Sequence, residues 1–238
     1  MAKLVFDIET SSQPLENFDE VQQEYLFRDA ERLPELERAN RRAEIQRQFS
    51  LWPLTAHVVC IAMLNAETDR GQVLFTAEDF EPEQGEAGPV EFVPCADEAE
   101  LLAAFWDVAR RYDSIVTFNG RGFDVPFIYL RSALLNVPIT KKDWLGYRFQ
   151  TEPHCDLAEQ LTFYSVSGRD GAARKFNLDF YCKAFGIDSP KSHGVTGMDV
   201  NNMLVEKRFR EIAEYCLRDV HATVSLHRIW RERLAGIK

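Results

Sequence analysis

No stretch of the chain approaches the roughly 18–20 uncharged apolar residues that a membrane-crossing helix needs. Asp7 interrupts the first apolar residues too early for a secretory signal. Cysteine is sparse: five residues (Cys60, Cys95, Cys155, Cys182 and Cys216), an odd number with no Cys-x-x-Cys pair. That excludes a disulfide framework and a paired-cysteine zinc site, and it predicts buried or free thiols in a reducing cytoplasm. Basic excess is also missing, with 28 Lys and Arg against 38 Asp and Glu and a net charge of −10. A protein that coats nucleic acid through positive charge is thereby excluded. An enzyme that meets phosphates through bound cations is not. Internal repeats and long linkers are absent. What is present, 45% hydrophobic and 28% charged residues in a chain of 238, suits a single globular domain over 1–238.

The pattern predicts a short strand from Lys3 to Phe6 that ends in Asp7-Ile8-Glu9-Thr10. Residues 14–50 then change character. Apolar residues at helical spacing (Val21, Tyr25, Leu26, Leu33, Leu36, Ile45) predict two helices broken near Leu33-Pro34, a helical insertion that is either a flap or a solvated face. His57–Leu64 and Gln72–Phe75 read as a hairpin across Asp69-Arg70-Gly71, followed by an acidic loop from Glu78 to Pro89. Asp97 opens a helix through Arg111 with Leu101, Leu102, Phe105, Trp106 and Val108 facing inward. Ser114–Phe118 reads as a strand and Phe123–Leu135 as a helix interrupted early by Pro126. A mixed region with a Gly-rich loop at 167–171 comes next. Three helical stretches close the chain: Asn177–Phe185, Val200–Lys207 and Phe209–Leu234. This order predicts an α/β fold with a mixed sheet packed against helices.

Three acidic positions stand where local geometry aims them together. Asp7 and Glu9 are two apart on a strand and project from one face. Asp124 follows a strand and a loop whose Gly120 and Gly122 permit tight turns. Tyr215 and Asp219 are four apart on a helix, so a phenol and a carboxylate can touch one water. Carboxylates gathered from distant segments are the ligands hard divalent cations prefer. Two such cations can hold the attacking and leaving oxygens of an in-line phosphoryl displacement.

Phe6-Asp7-Ile8-Glu9-Thr10 resembles the first motif of the DEDD (DnaQ-like) 3′–5′ exonuclease superfamily. The segment from Thr117 to Phe127, with Asn119-Gly120-Arg121-Gly122-Phe123-Asp124 at its centre, resembles the second motif as it occurs in family-B DNA polymerases. Tyr215-Cys216-Leu217-Arg218-Asp219 is similar to the third, in its YxxxD (DEDDy) form; residue 214 is Glu, so the histidine variant does not fit. With 19 residues after Asp219, the chain resembles the stand-alone predicted exonucleases related to the polymerase-B exonuclease domain. The resemblance implies a ribonuclease-H-like fold with a five-stranded mixed sheet. It implies two Mg²⁺ or Mn²⁺ ions held by Asp7, Glu9, Asp124 and Asp219, with Tyr215 orienting the attacking water. It further implies release of nucleoside 5′-monophosphates from single-stranded 3′ ends, DNA rather than RNA. A 3′–5′ exoribonuclease and a catalytically silent nucleic-acid-binding scaffold are the other readings.

Several residues have two readings. Thr10 either approaches the terminal nucleotide or closes a strand end. Asn119 either touches substrate or closes a turn. Phe123 and Phe127 either stack on bases or join the core. His154-Cys155-Asp156 has a ligand-like look but lacks a second pair, so Asp156 reads as a helix cap or partner. Arg169, Arg174, Lys175, Lys183, Lys191 and His193 form either a phosphate-facing rim or a wet surface.

Overall fold

The computed structural model describes residues 2–77, 88–164, 174–188, 197 and 199–237. Most of the acidic loop predicted from Glu78, the Gly-rich loop 167–171, and Arg169, Lys191 and His193 lie outside the described residues. Six strands form one sheet: β1 (Lys3–Ser12), β2 (Ala56–Asn65), β3 (Gly71–Thr76), β4 (Val90–Cys95), β5 (Ser114–Thr117) and β6 (His154–Asp156). Their spatial order is β4-β3-β2-β1-β5-β6. The β1–β2 and β2–β3 pairs are antiparallel, and the β3–β4, β1–β5 and β5–β6 pairs are parallel. Described strands thus number six against the five expected. Neither β4, which carries Pro94 at a sheet edge, nor the three-residue β6 shows a periodicity long enough to register in sequence.

Helices cover both faces. On one side lie α3 (Glu98–Ala109) and α4 (Asp124–Leu134), with Leu101, Leu102, Phe105, Trp106, Val125, Phe127 and Ile128 packed on Leu4, Phe6 and Ile8. On the other lie α6 (Leu178–Phe185), α7 (Val200–Val205) and the 25-residue α8 (Phe209–Arg233), whose Ile212, Cys216, Val220 and Val224 pack on Val5, Cys60 and Val116. Because β1 is covered on both faces, its apolar residues run almost without a break. From Leu4 to Glu9, before a register shift at Thr10, even-numbered residues face α3 and α4 and odd-numbered ones face α8. Asp7 and Glu9 fall on the α8 side by this alternation alone.

The 14–50 segment folds as predicted into two helices, α1 (Glu20–Glu31) and α2 (Glu35–Arg47), separated at Pro34. Asp19 and Gln22 cap α1 reciprocally. The predicted apolar stripe holds only in part. Val21 and Leu36 are 75% and 94% exposed, whereas Ile45 joins Phe18, Phe27, Ala30 and Phe49 in a small separate core with Leu26 packed against it. The aromatic contacts Phe18–Phe49 and Phe27–Phe49 lie within that core. A second correction concerns Pro126. It is the third residue of α4 and does not interrupt it, since first-turn amides have no acceptor within the helix. The remaining short helix, α5 (Leu157–Gln160), follows β6 directly. All five cysteines are buried free thiols. No helix among the described residues is long and apolar enough to cross a membrane.

Candidate active site

The strand carrying Asp7 continues past the predicted end at Phe6 and runs to Ser12, so both acids lie within β1. One oxygen of Asp7, one of Glu9 and Cys216 Sγ lie within 4.8 Å of one another. Pairing of β1 with β5 ends at Val5–Val116. The Ile8 amide, beyond that limit, instead donates to Asp124 Oδ1 at 3.2 Å. Asp124 is the first residue of α4 and only 2% exposed. The strand that carries two acids is therefore bonded directly to the third. Tyr215 and Asp219 come from α8, one turn apart, and both line the cleft. A cleft of about 490 Å³ opens onto Asp7, Tyr215 and Asp219, with Asn119 and Lys175 on its rim. A larger cavity, about 630 Å³, lies near Trp230 at the far end of α8; its one carboxylate, Glu152, pairs with Lys3.

Electrostatics identify the four acids as one cluster. Burial holds the Asp7 carboxyl well above the ordinary carboxylate range, and Asp124, Asp219 and Glu9 push it the same way. Burial, then Asp219 and Asp124, do the same to Glu9. Asp124 is pushed up to about 7, chiefly by burial and further by Asp156 and Asp219, against the lowering effect of its own amide and that of Ile8. Burial raises the Tyr215 phenol too, with Glu9, Asp219 and Asp7 adding to it. Crowded carboxylates, Glu9 and Asp124 buried and Asp7 and Asp219 half-buried, in which Asp219 disfavours the charge of the other three, fit a site that a dication neutralises. The donor atoms are oxygens, as hard divalent ions require. Cys216 does not change that chemistry. Its thiol donates to the Asp7 carbonyl at 3.4 Å, and burial and the neighbouring Cys60 keep it protonated.

The other predicted residues are placed as follows. The Thr10 hydroxyl donates to Ser50 O at 2.6 Å and so ties β1 to the helical insertion. Asn119 lines the cleft at φ +68°, its amide donating to Asp156 and its side-chain oxygen accepting from Lys175. Phe123 packs beside Phe127, the rings tilted at 52° with 5.4 Å between centroids, against the α3–α4 core. His154 bonds Thr117 and the Trp144 carbonyl, and Asp156 caps α5, as its cap reading expected. Of the described basic residues, Lys175 reaches the cleft, Arg174 lies over Phe176, and Lys183 pairs with Asp179. Two features escaped the sequence reading: the Ile8 amide as partner of Asp124, and Phe118 and Phe176 as cleft walls. An amide carries no residue signature, and the aromatic walls have no fixed spacing from the acids.

Residues 53–230 match the profile of a family described as predicted 3′–5′ exonucleases related to the exonuclease domain of PolB. The match contains Asp124, Tyr215 and Asp219; Asp7 and Glu9 precede it. DNA polymerase 1 of Saccharolobus solfataricus is 28% identical over 138 residues, covering 54% of this chain and 15% of the polymerase. DNA polymerase 1 of Sulfolobus acidocaldarius is 26% identical over 180 residues, 71% of this chain and 19% of the polymerase. The chain thus spans less than a fifth of these curated relatives. The family B DNA polymerase from the hyperthermophilic archaeon Pyrobaculum calidifontis superposes on 97% of this chain and 24% of its own, with a TM-score of 0.58 and 20% identity. That likeness shows the ribonuclease-H-like fold. With three quarters of its length matched, the chain belongs to the family of predicted 3′–5′ exonucleases related to the exonuclease domain of PolB.

Proposed function

We propose that this protein is a divalent-metal-dependent 3′–5′ exonuclease that releases nucleoside 5′-monophosphates from single-stranded DNA ends. The observation that carries the reading is the convergence of acids from three remote segments: Asp7 and Glu9 together on β1, Asp124 bonded to that strand at Ile8, and Asp219 close enough to raise all three carboxyls. Asp7, Glu9 and Asp219 would hold one Mg²⁺ or Mn²⁺ ion, and Asp7 with Asp124 a second. When bound, such ions acidify the attacking water and stabilise charge on the attacking and leaving oxygens.

The chain's own groups do the rest. Tyr215 stays protonated, because its phenol is raised above an already high value. It is therefore not the base. Lining the cleft beside Asp219, its hydroxyl can fix the direction of a water through a hydrogen bond. Asp124 anchors the pocket to β1 through the Ile8 amide. Lys175, on the rim, offers a positive charge to a phosphodiester.

The test is incubation of end-labelled single-stranded DNA and RNA with Mg²⁺, Mn²⁺ or chelator. Metal-dependent shortening of DNA from its 3′ end, with mononucleotide product, supports the reading. Preferential shortening of RNA would make the protein an exoribonuclease. Binding without cleavage under every metal would make it a silent scaffold.

A further inference from the structure

Strands β5 and β6 end side by side, with Thr117 opposite Asp156. Three consecutive amides of the loop leading to Asp124 point back at these two side chains. Asn119 N–H donates to Asp156 Oδ1 at 2.9 Å, Gly120 N–H to Thr117 Oγ1 at 3.1 Å, and Arg121 N–H to Asp156 Oδ2 at 2.9 Å. Ala158 N–H gives Oδ1 a second donor at 3.0 Å. Asp156 is 2% exposed, so these amides take the place of water around its charge.

Thr117 is itself held. Its Oγ1 lies 2.7 Å from His154 Nε2, and His154 Nδ1 lies 3.1 Å from the Trp144 carbonyl. Burial lowers the imidazole to about 4, so the ring is neutral near pH 7. A carbonyl only accepts, which puts the ring proton on Nδ1 and makes Nε2 the acceptor of the Thr117 hydroxyl. The threonine oxygen is then turned to receive the Gly120 amide. Beyond the clamp, Val125 N–H donates to Gly120 O at 2.9 Å and closes the loop onto the start of α4.

We infer that Asp156 is a positioning residue for Asp124, holding the 119–121 backbone so that the Asp124 carboxylate meets β1 and a cation shared with Asp7. This rests on the proposed function only in taking Asp124 as a cation ligand. The carboxylate is specifically required. An asparagine whose oxygen faced the Asn119 and Ala158 amides would turn its NH₂ toward the Arg121 N–H, donor against donor. Partners that orient metal ligands commonly contribute about 10–100-fold to metal affinity or rate.

The experiment compares Asp156→Asn with Ser132→Ala, which removes the buried partner of Trp106 Nε1 away from the cleft. Amide hydrogen exchange of the 118–122 segment is followed without metal, Mn²⁺ binding by calorimetry, and the Mn²⁺ requirement for cleavage separately. Asp156→Asn is expected to speed exchange in this loop at least about 10-fold and to weaken Mn²⁺ binding about 10–100-fold. Ser132→Ala should lower the melting temperature and change neither reading. Unaltered loop exchange in Asp156→Asn overturns the inference, and so does faster exchange with unaltered Mn²⁺ affinity. Should Asp156→Asn fail to fold, Thr117→Val, which frees the Gly120 amide, carries the same two readings. A wild-type protein that binds Mn²⁺ but cuts no DNA would overturn the proposed function and leave Asp156 to be judged on exchange and affinity. A wild-type protein that binds no Mn²⁺ would overturn both.

Discussion

Tyr215 and Asp219 stand one turn apart on α8 and line the same cleft, phenol beside carboxylate. The two residues carry unequal weight. Asp219 raises the pKa of both Asp7 and Glu9, so its own charge is part of the cluster a cation would neutralise. Tyr215 contributes a direction to the water and no charge. Tyr215→Phe is expected to slow cleavage on the order of 10-fold, whereas Asp219→Ala should cost roughly 10²–10³-fold or more. Single-turnover rates at saturating Mn²⁺ check this. Equal losses in the two variants would mean that the phenol does more than orient.

The raised carboxyls make metal-free stability depend on pH in a defined sense. A carboxyl held above its ordinary value is more protonated in the folded chain than in the unfolded one. Its contribution is therefore lost as pH rises through the window between the two values. For Asp124 that window runs from 3.8 to about 7. Its full loss would be of the order of 4 kcal/mol. Asp124→Asn removes the titration, so with chelator present the variant should be more stable than wild type at pH 7.5. The two should converge near pH 4. Urea denaturation across pH measures this, and parallel curves would show that folding does not raise the Asp124 carboxyl. Added Mn²⁺ should restore the wild type, by about 2.7 kcal/mol at a hundredfold excess over its dissociation constant. The variant should gain less and should lose nuclease activity.

Gly120 lies inside the loop whose amides are clamped by Thr117 and Asp156. A Cβ there would come within 2.4 Å of Thr117 Oγ1 and 2.6 Å of Thr117 Cβ. Relieving that contact would pull the loop from Thr117 and lengthen the hydrogen bond from Gly120 N–H to Thr117 Oγ1. Gly120→Ala is expected to cost about 1–3 kcal/mol and to displace Asp124. Its signature should be a raised Mn²⁺ requirement that persists well below the melting temperature. A variant that melts early but keeps the wild-type Mn²⁺ requirement would separate the loop from the site.

Much of this arrangement is legible in sequence because it follows from periods. The i, i+2 spacing of Asp7 and Glu9 gives a shared face on any strand, and the i, i+4 spacing of Tyr215 and Asp219 gives a shared face on any helix. Both relations hold. That Asp124 meets them depends on where β5 stops pairing and on one backbone amide, neither of which a residue pattern records. The three-residue β6 is too short for alternation to show, and in the 14–50 segment the rings of Phe18, Phe27 and Phe49 join Ile45 in a core that the helical stripe marks only in part. His154-Cys155-Asp156 reads locally as a ligand set, but its polar side chains are engaged by Thr117, Trp144 and the loop amides.

Glu98 and Arg131 join the two helices on the face opposite the cleft. Arg131 donates to both carboxylate oxygens, at 2.9 and 2.6 Å, and Glu98 also accepts the Val58 amide at 2.7 Å. Both side chains are 10% exposed. Arg131 donates further to Pro53 O at 3.0 Å, so one guanidinium ties α4 to α3 and to the chain leaving the insertion. Removing one partner strands the other charge in a nearly dry setting, at a cost of about 3–5 kcal/mol. Glu98→Ala should therefore lower stability by that amount, measured by urea denaturation at neutral pH. The double variant Glu98→Leu/Arg131→Met should recover most of the loss, because it leaves no unpaired charge. Since α4 also carries Asp124 at its first turn, nuclease activity separates the two roles of the helix. Below the melting temperature the double variant should keep a near-wild-type Mn²⁺ requirement, because the Ile8 bond and the 119–121 clamp, rather than this ion pair, set the carboxylate's position. A requirement that rises with the loss of the pair would place Asp124 under the control of the far face.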